Sequence, residues 1–421
     1  MSLEFDYQKL GSISDVKGGK RLPKGHSLIN IPNSHPYIKV KDMTPDKLLK
    51  LTDNFEYIEN ETFNEISHYL VNKGDLIISI VGTIGLTNII EYSLDNANLT
   101  ENCAKITNLK KGYNVDYIYY FLNSKIGQNL IQESTVGAVQ KKLPIKNIRD
   151  LNIPFPDYDI QNKIVDLLST IDKKIENCKS INKNLEEQLS LIFDDYFVKC
   201  SAYDEDSLVK TDWGKIPKEW KNIDFSDIIQ ITSGDRPDEK SEIKTSEFNI
   251  PLFGASKIMG YTKEFSYAED ILIIGRVGTH GVVQRVNYPC FPSDNTFVIK
   301  SNYYGFVYQL LKRIDYDSLN TGSTQPLITQ KSLKTVNVVL PDENTLSRFE
   351  KISKIYFDNI YTNQKEITSL IKLRDTLLPK LMSGEIDVSK INCDFENIAH
   401  FMIFSFKKII GYLGLYFIRF L

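Results

Sequence analysis

Two long stretches of the chain place apolar side chains at intervals of seven residues. One stretch covers residues 159–199 and the other residues 343–383. Residues seven apart share one face of a helix, and repeats of this kind are typical of coiled coils. The pattern predicts two helices of about 40 residues that pack against each other, each reaching ~60 Å. The predicted seam residues are Ile164, Ile171, Leu185, Ile192, Phe349, Tyr356, Leu370 and Leu377.

A polar residue interrupts each seam near the middle of its helix, Asn182 in the first and Asn363 in the second. In an antiparallel pair these residues face each other or lie within one turn, where a buried polar contact fixes the register. Because each helix follows its own globular segment, antiparallel pairing is expected to place the two segments at opposite ends of a rod. The alternative is that each helix lies on its own domain.

The globular segments that precede the helices repeat each other. Gly137 matches Gly322 and Pro156 matches Pro341 at one constant offset, and the apolar pattern between them repeats without a gap. The motif V-G-T-x-G occurs at residues 81–85 and again at residues 277–281, and G-x-R begins at Gly19 and again at Gly234. The order of features is kept while the connecting lengths differ, as in related domains with different surface loops.

Short runs rich in β-branched residues, such as DLIISIVG, LNIPFP, DILIIG and TFVIK, lie between Gly, Pro and Asn and predict strands. The sequence therefore predicts an α+β protein with two similar α+β domains, separated by two long helices that form an antiparallel coiled coil. The predicted boundaries are 1–157 for the first domain, 158–200 for the first helix, 201–220 for a linker, 221–342 for the second domain, 343–384 for the second helix and 385–421 for an apolar tail.

Lys407 and Lys408 divide the tail into two apolar pieces. Each piece is shorter than the ~20 residues that a membrane span requires, so no span is expected. The tail is either an interfacial or docking helix, or a segment that packs on the body or stays loose.

Composition narrows the functional classes only slightly. A chain of 421 residues with 42% hydrophobic residues can form at least two cores, and a formal net charge of −3 gives no global basic field of the kind that marks many nucleic-acid binders. The five scattered cysteines predict neither disulfides nor a zinc site, and the first residues do not resemble a secretion signal. These features predict a cytoplasmic protein.

Catalytic signatures are missing from the sequence. It contains no phosphate-binding G-x-x-x-x-G-K-[ST], no H-E-x-x-H and no nucleophile elbow. NIPF at residues 152–155 faintly resembles the N-P-P-F of adenine methyltransferases but lacks the first proline, and PDEK at residues 237–240 is better explained as a solvated turn than as a nuclease site. We predict no catalytic residue and no metal ligand.

GKIPKEW opens the second half at Gly214 and LLPKLMSGEIDV closes the chain's second helix. With the duplicated domains and long helices, these motifs resemble the specificity subunits of type I restriction-modification systems, from about residue 5 to residue 390. The first half lacks a clear G-x-I-P-x-x-W, and the tail is not part of the family pattern.

The resemblance implies a non-catalytic subunit. Its two target-recognition domains would each read one half of a split double-stranded DNA sequence, and its helices would dock two modification subunits that methylate adenine. Restriction subunits would join for cleavage. S-adenosylmethionine, ATP and Mg²⁺ are expected on these partners, and no cofactor on this chain.

The candidate DNA-binding residues recur at matching places. A glycine-rich turn lets backbone N–H groups approach a phosphate, glutamine bonds adenine bidentately, and arginine and lysine bind phosphate or guanine. We expect position 84, which changes to residue 280 in the second copy, to read different bases. The candidates are Arg21, Gly82, Thr83, Gly85, Gln140, Lys141, Lys142, Arg236, Arg276, Gly278, Thr279, His280, Arg285 and Gln325.

Two other functions are compatible with the sequence. A coiled-coil scaffold that holds two protein-binding modules explains the helices but predicts no salt-dependent DNA binding. A self-contained DNA methyltransferase or nuclease would require a cofactor or metal site that the sequence does not reveal.

Overall fold

The computed structural model describes residues 5–138, 140–211, 214–322 and 327–388. The chain divides into two compact units: unit 1 contains residues 1–177 and 366–421, and unit 2 contains residues 178–365. Both boundaries fall inside the long helices, so each unit contains one part of each helix. The candidate Gln325 and the tail from residue 389 onward lie outside the described residues.

The first part of unit 1 contains the strands and short helices of the first globular segment and the start of the first long helix. Its elements are β1 (Asp6–Lys9), α1 (Leu10–Ile13), β2 (Asp15–Gly18), β3 (Pro36–Ile38), β4 (Leu48–Leu49), β5 (Glu56–Tyr57), α2 (Asn60–Ile66), β6 (Leu70–Val71), β7 (Leu76–Ser79), β8 (Thr87–Ile90), β9 (Ala97–Leu99), β10 (Cys103–Thr107), α3 (Val115–Asn123), α4 (Lys125–Glu133), α5 (Ile145–Arg149), β11 (Asn152–Phe155) and α6 (Tyr158–Phe193), which continues into unit 2.

Three sheets organise unit 1. The largest has the order β2-β10-β7-β8-β4, the second has the order β5-β3-β9-β6, and β1 pairs with β11. The strand β7 is buried along its whole length, as the apolar run at residues 76–78 predicts. The main core lies where the largest sheet meets α3 and α6, and it includes Ile78, Tyr117 and Leu168.

Within its described residues, unit 2 repeats this plan with fewer strands and α-helices. They are β12 (Leu208–Thr211), β13 (Gly214–Pro217), β14 (Lys221–Asp224), β15 (Gln230–Ser233), β16 (Ile250–Phe253), β17 (Ile258–Thr262), β18 (Ile271–Gly275), β19 (Gln284–Val286), β20 (Phe291–Pro292), β21 (Thr296–Lys300), α7 (Tyr304–Leu311), α8 (Gln330–Lys334), β22 (Asn337–Leu340) and α9 (Glu343–Met382), which continues into unit 1. The principal sheet has the order β15-β21-β18-β19.

Strand register confirms the repeat. In unit 1, Asp6 pairs with Phe155, and in unit 2, Lys221 pairs with Leu340. Asp6 and Lys221 are as far apart in the sequence as the two G-x-R motifs. Phe155 and Leu340 are as far apart as Pro156 and Pro341. The α+β class and the two similar domains are therefore as predicted.

The long helices α6 and α9 contain 36 and 40 residues. In unit 1 their contact includes an ion pair of 3.0 Å between Arg374 and Asp172. In unit 2, Phe193 lies against Phe349. In unit 1 Lys174 forms a further ion pair with Glu366, and in unit 2 Asn182 contacts Asn363. Within each unit the later residue of α6 therefore meets the earlier residue of α9, so the helices pack antiparallel. The helix bounds agree with the predicted ones, except that α6 ends in a π-helical turn at Asp194–Val198.

The seam residues differ in burial. Ile164, Ile171, Phe349 and Leu377 are fully buried, whereas the other four predicted members, Leu185, Ile192, Tyr356 and Leu370, are half-buried. The expected contact between the two asparagines is present within unit 2, because Asn363 Nδ2 donates a 2.7 Å hydrogen bond to Asn182 Oδ1, while their role in fixing the register stays a prediction. Asn182 also donates to the Ile360 carbonyl at 3.4 Å.

Candidate nucleic-acid interface

The first V-G-T-x-G motif forms a tight turn at the end of β7. Gly82 and Gly85 have φ angles of +81° and +91°, a backbone region that favours glycine. The Ser79 hydroxyl fixes the turn because it donates to the Thr83 carbonyl at 2.6 Å and accepts from Leu86 N at 2.9 Å. Gly82 and Thr83 are exposed at the tip of the turn.

The loop that carries the basic candidates lies beside this turn. Val81 forms a β-bridge with Lys142, and Leu143 N donates to the Ile80 carbonyl at 3.0 Å. Gln140 and Lys141 are exposed in the same loop. The structure therefore brings together the two sequence motifs that recurred most clearly.

A third loop joins them from β2. Gly19 packs so closely on the turn before β10 that an added Cβ would lie 2.1 Å from the Thr100 carbonyl oxygen. Arg21 is exposed, and its Nε donates to Glu101 at 2.6 Å. Asn102 lies in the same turn before β10, and its carbonyl accepts a 2.8 Å hydrogen bond from Ile80 N. The third loop therefore also lies beside the V-G-T-x-G turn. All three loops lie at the sheet edge where β2 and β7 end and β10 begins.

Unit 2 forms the same edge with the same backbone hydrogen bonds. Val277 bridges Leu327 as Val81 bridges Lys142. Ile328 N donates to the Arg276 carbonyl, and Arg276 N donates to the Asn295 carbonyl, both at 2.9 Å. The exposed Arg236 occupies the place of Arg21. Gly278 and Gly281 have φ angles of +84° and +79°, so the second turn keeps the backbone shape of the first.

The position that varies between the two turns is directed toward the protein. Ile84 is half-buried and packs against the main core of unit 1. His280 is half-buried, lies 3.4 Å from the Arg276 carbonyl through Nε2, and has its ring 6.3 Å from that of Tyr316. The expectation that this position reads bases is therefore not supported by its placement. Thr83 and Thr279 are the exposed side chains of the two turns.

One predicted arginine contact also needs correction. Arg285 forms an ion pair with Glu186, and its guanidinium lies 4.0 Å from the Phe357 ring centre and 4.9 Å from that of Tyr308. Only 15% of its side chain is exposed, so we remove it from the DNA-binding candidates. Arg276 is half-buried against Phe297, and its Nε is a buried donor that has no acceptor within the described residues.

Glu101 and Asn102 were missed by the sequence analysis. A signal was present, because Thr100-Glu101-Asn102 recurs as Ser293-Asp294-Asn295. Burial alone would raise the pKa of Glu101, but hydrogen bonds from Arg21, its own backbone N–H and Thr100 together lower it. Arg21 in turn has a raised pKa because of Glu101. The carboxylate therefore stays ionised and positions the guanidinium.

The two edges present backbone N–H groups, hydroxyls, one described glutamine and cations. These groups are suited to binding phosphates and base edges. No described helix is long and apolar enough to cross a membrane.

Comparisons with known proteins agree with this arrangement. Residues 3–187 and 217–373 match the family model described as the type I restriction modification DNA specificity domain. The chain is 25% identical over 417 residues to the type I restriction enzyme MjaIX specificity subunit of Methanocaldococcus jannaschii, with 92% of this chain and 95% of that protein covered. It is 24% identical over 377 residues to a putative type I specificity subunit of Mycoplasma genitalium, with 85% and 94% covered.

The fold is also that of a solved structure. The crystal structure of a type I restriction-modification system S subunit from M. genitalium has a TM-score of 0.53 and 18% identity, with 90% of this chain and 96% of that chain covered.

Proposed function

The chain belongs to the type I restriction modification DNA specificity family, as a specificity subunit with two target-recognition domains, and from that premise we propose that each domain reads one half of a split DNA target through its three-loop edge. The observation that carries the proposal is the recurrence of one hydrogen-bonded loop frame in both units. A frame that occurs twice is what a target with two half-sites requires.

Within each edge we assign different tasks to different groups. The N–H and hydroxyl groups of the exposed turn residues Thr83 and Thr279 are suited to phosphates, which position the protein without reading sequence. Gln140, at the tip of the adjoining loop, is suited to the adenine edge in the major groove. Lys141, Lys142, Arg21 and Arg236 supply the cations that attract the DNA backbone.

We further propose that the chain performs no chemistry itself and acts in the cytoplasm. Its helices α6 and α9 would dock two modification subunits that carry S-adenosylmethionine, and restriction subunits would bring ATP and Mg²⁺. Ile181, Leu191 and Ile355 are exposed on these helices, and a docked subunit would bury such apolar side chains.

The test is to map methylated adenines in a host that carries this gene with its modification subunit, and in the same host without the gene. A gapped methylated motif that depends on the gene is the expected result. A host whose methylation is unchanged would favour the coiled-coil scaffold. Methylation by the purified chain alone would favour a self-contained enzyme.

A further inference from the structure

Unit 1 gathers one histidine and two glutamates at a place that the sequence analysis did not single out. His26 lies in the loop between β2 and β3, while Glu61 and Glu65 lie one turn apart on α2. One potential ligand atom from each residue lies within 4.8 Å of the other two. We propose that His26, Glu61 and Glu65 bind a divalent transition-metal ion of the Zn²⁺ class.

The ring of His26 is already oriented for this task. Its Nδ1 lies 2.7 Å from the hydroxyl of Thr62, a residue that is only 2% exposed, and its Nε2 lies 3.3 Å from Glu65 Oε1. In protein metal sites the second ring nitrogen of a ligand histidine is normally held by such a hydrogen bond, which fixes the orientation of the coordinating nitrogen. Thr62 is therefore a positioning residue that aims Nε2 at the two carboxylates.

The ligand set selects the class of metal. Zn²⁺ accepts histidine nitrogen and glutamate oxygen at about 2.0–2.2 Å, so ligand atoms around one tetrahedral ion lie about 3.4 Å apart. The spacing of 3.3 Å between Nε2 and Oε1 is close to that value. Ca²⁺ and Mg²⁺ prefer oxygen ligands alone, so they fit a site with an imidazole less well. Both glutamate residues are exposed, which leaves further coordination positions for water.

The site would stabilise a segment that unit 2 does not share. In residues 214–322, which are all described, no helix lies between β17 and β18, where α2 would have its counterpart. Leu22 and Leu28 of the long loop after β2 pack against the same buried apolar cluster as Phe63 of α2. A metal ion at His26 would add a polar link between the same two segments. Because Arg21 lies in this loop, the ion would also order the neighbourhood of one candidate DNA contact, and in unit 1 alone.

The experiment is a calorimetric titration of the metal-free full-length chain with Zn²⁺. The wild type is compared with His26→Ala and with the double variant Glu61→Gln/Glu65→Gln. His68→Ala and Glu59→Gln are matched controls, because they remove a nearby exposed histidine and glutamate outside the group. We expect one Zn²⁺ site per chain that both test variants lose and both controls keep. Zn²⁺ should also raise the melting temperature of the wild type and the controls only, since a ligand of the folded state stabilises it.

A second variant separates metal binding from a simple histidine-glutamate ion pair. Thr62→Val keeps the shape of the side chain but removes the hydroxyl that orients His26, so Zn²⁺ affinity should fall about tenfold or more with unchanged stoichiometry. Co²⁺ should give a visible absorption band in the wild type that His26→Ala lacks. Equal Zn²⁺ uptake by the wild type and His26→Ala would overturn the proposal, as would Mg²⁺ binding as tightly as Zn²⁺.

Discussion

In both units the long helix begins after a Pro-Asp sequence. The side chains that form hydrogen bonds with this Pro-Asp sequence differ between the two units. In unit 2 the Asp342 carboxylate accepts hydrogen bonds from Thr345 N at 3.0 Å, the Thr345 hydroxyl at 2.7 Å, Tyr203 at 2.9 Å and Trp220 Nε1 at 3.4 Å. Burial alone would raise the pKa of Asp342, but these hydrogen bonds lower it to about 2. Trp220 is the tryptophan of the G-x-I-P-x-x-W motif, which the first half lacks.

In unit 1 the corresponding anchor is an amide. Gln161 is 1% exposed, donates to the Pro156 carbonyl at 2.9 Å and accepts from Asn114 N at 3.0 Å. In the repeat its place is taken by Leu346, which is buried in the core of unit 2. The comparison teaches that the backbone frame is the constant part of the two units. The side chains that hold it in place are exchangeable.

The largest expected loss of stability comes from variants that disrupt the contact between α6 and α9 in one unit at a time. Phe349 and Ile164 occupy matching, fully buried seam positions. Phe349→Ala should lower the free energy of unfolding by about 3–5 kcal/mol and Ile164→Ala by about 2–5 kcal/mol, because each leaves a cavity. Hydrogen exchange should show the loosening in unit 2 for the first variant and in unit 1 for the second. Equal loosening of both units by either variant would contradict the division of the chain into two units.

The asparagine pair of unit 2 provides the second comparison. Asn182→Leu alone should cost about 1–3 kcal/mol, since Asn363 loses its hydrogen-bond partner in a half-buried seam. Changing both residues to leucine should restore stability but allow other helix alignments.

Spin labels at the exposed Leu191 and Ile355 measure the alignment within unit 2. The wild type should give one narrow distance distribution, and the double variant a broader or displaced one. A narrow, unchanged distribution in the double variant would remove the register-fixing role of the pair.

The helix anchors predict a smaller and pH-dependent difference. Asp342→Ala should cost about 0.5–2 kcal/mol through loss of the helix cap. Because the folded-state pKa of Asp342 lies below its unfolded value, its contribution is present above about pH 4 and is lost as the pH falls toward 2. Denaturation curves between pH 2 and pH 7 should therefore converge for the wild type and the variant at the acidic end. Curves that stay parallel would show that the charge of Asp342 is not what stabilises the helix start.

The smallest expected change is in the free energy of DNA binding and comes from substitutions in the three-loop edges. Lys141→Gln with Lys142→Gln should weaken DNA binding by the assembled complex and reduce the slope of log affinity against log salt by about 1 to 2, since each lost phosphate contact removes about 0.9. Arg285→Gln is the control from unit 2. It should destabilise that unit, because it removes the ion pair with Glu186, while leaving the slope unchanged. Equal slopes in the lysine variant and the wild type would exclude these lysines from the interface.

The sequence alone was sufficient to predict the structural features that repeat along the chain. The heptads predicted α6 and α9 almost to their ends, and the constant offsets between the two halves recur in the strand register. The two recurring loops also proved to be neighbours. Each of these features depends on local periodicity or on the comparison of one half with the other, which are both visible in a single chain.

Side-chain direction was not predictable in the same way. Arg285 lies on a strand, and its role depends on whether that strand turns it toward solvent or toward Glu186 and Phe357. Position 84 differs between the two copies and was expected to read bases, but Ile84 packs inward. The contact of Trp220 with Asp342 joins residues 122 positions apart. None of these follows from local pattern, because each depends on which distant element supplies the partner.

The most direct test of the account exchanges one unit's recognition segment and leaves the other intact. Residues 5–157 are replaced by the corresponding segment of another specificity subunit, and methylated adenines are mapped in a host that supplies the modification subunit. If each domain reads one half of the target, one half of the gapped motif should change while the other half remains as it was. A motif that changes in both halves, or in neither, would contradict the modular account.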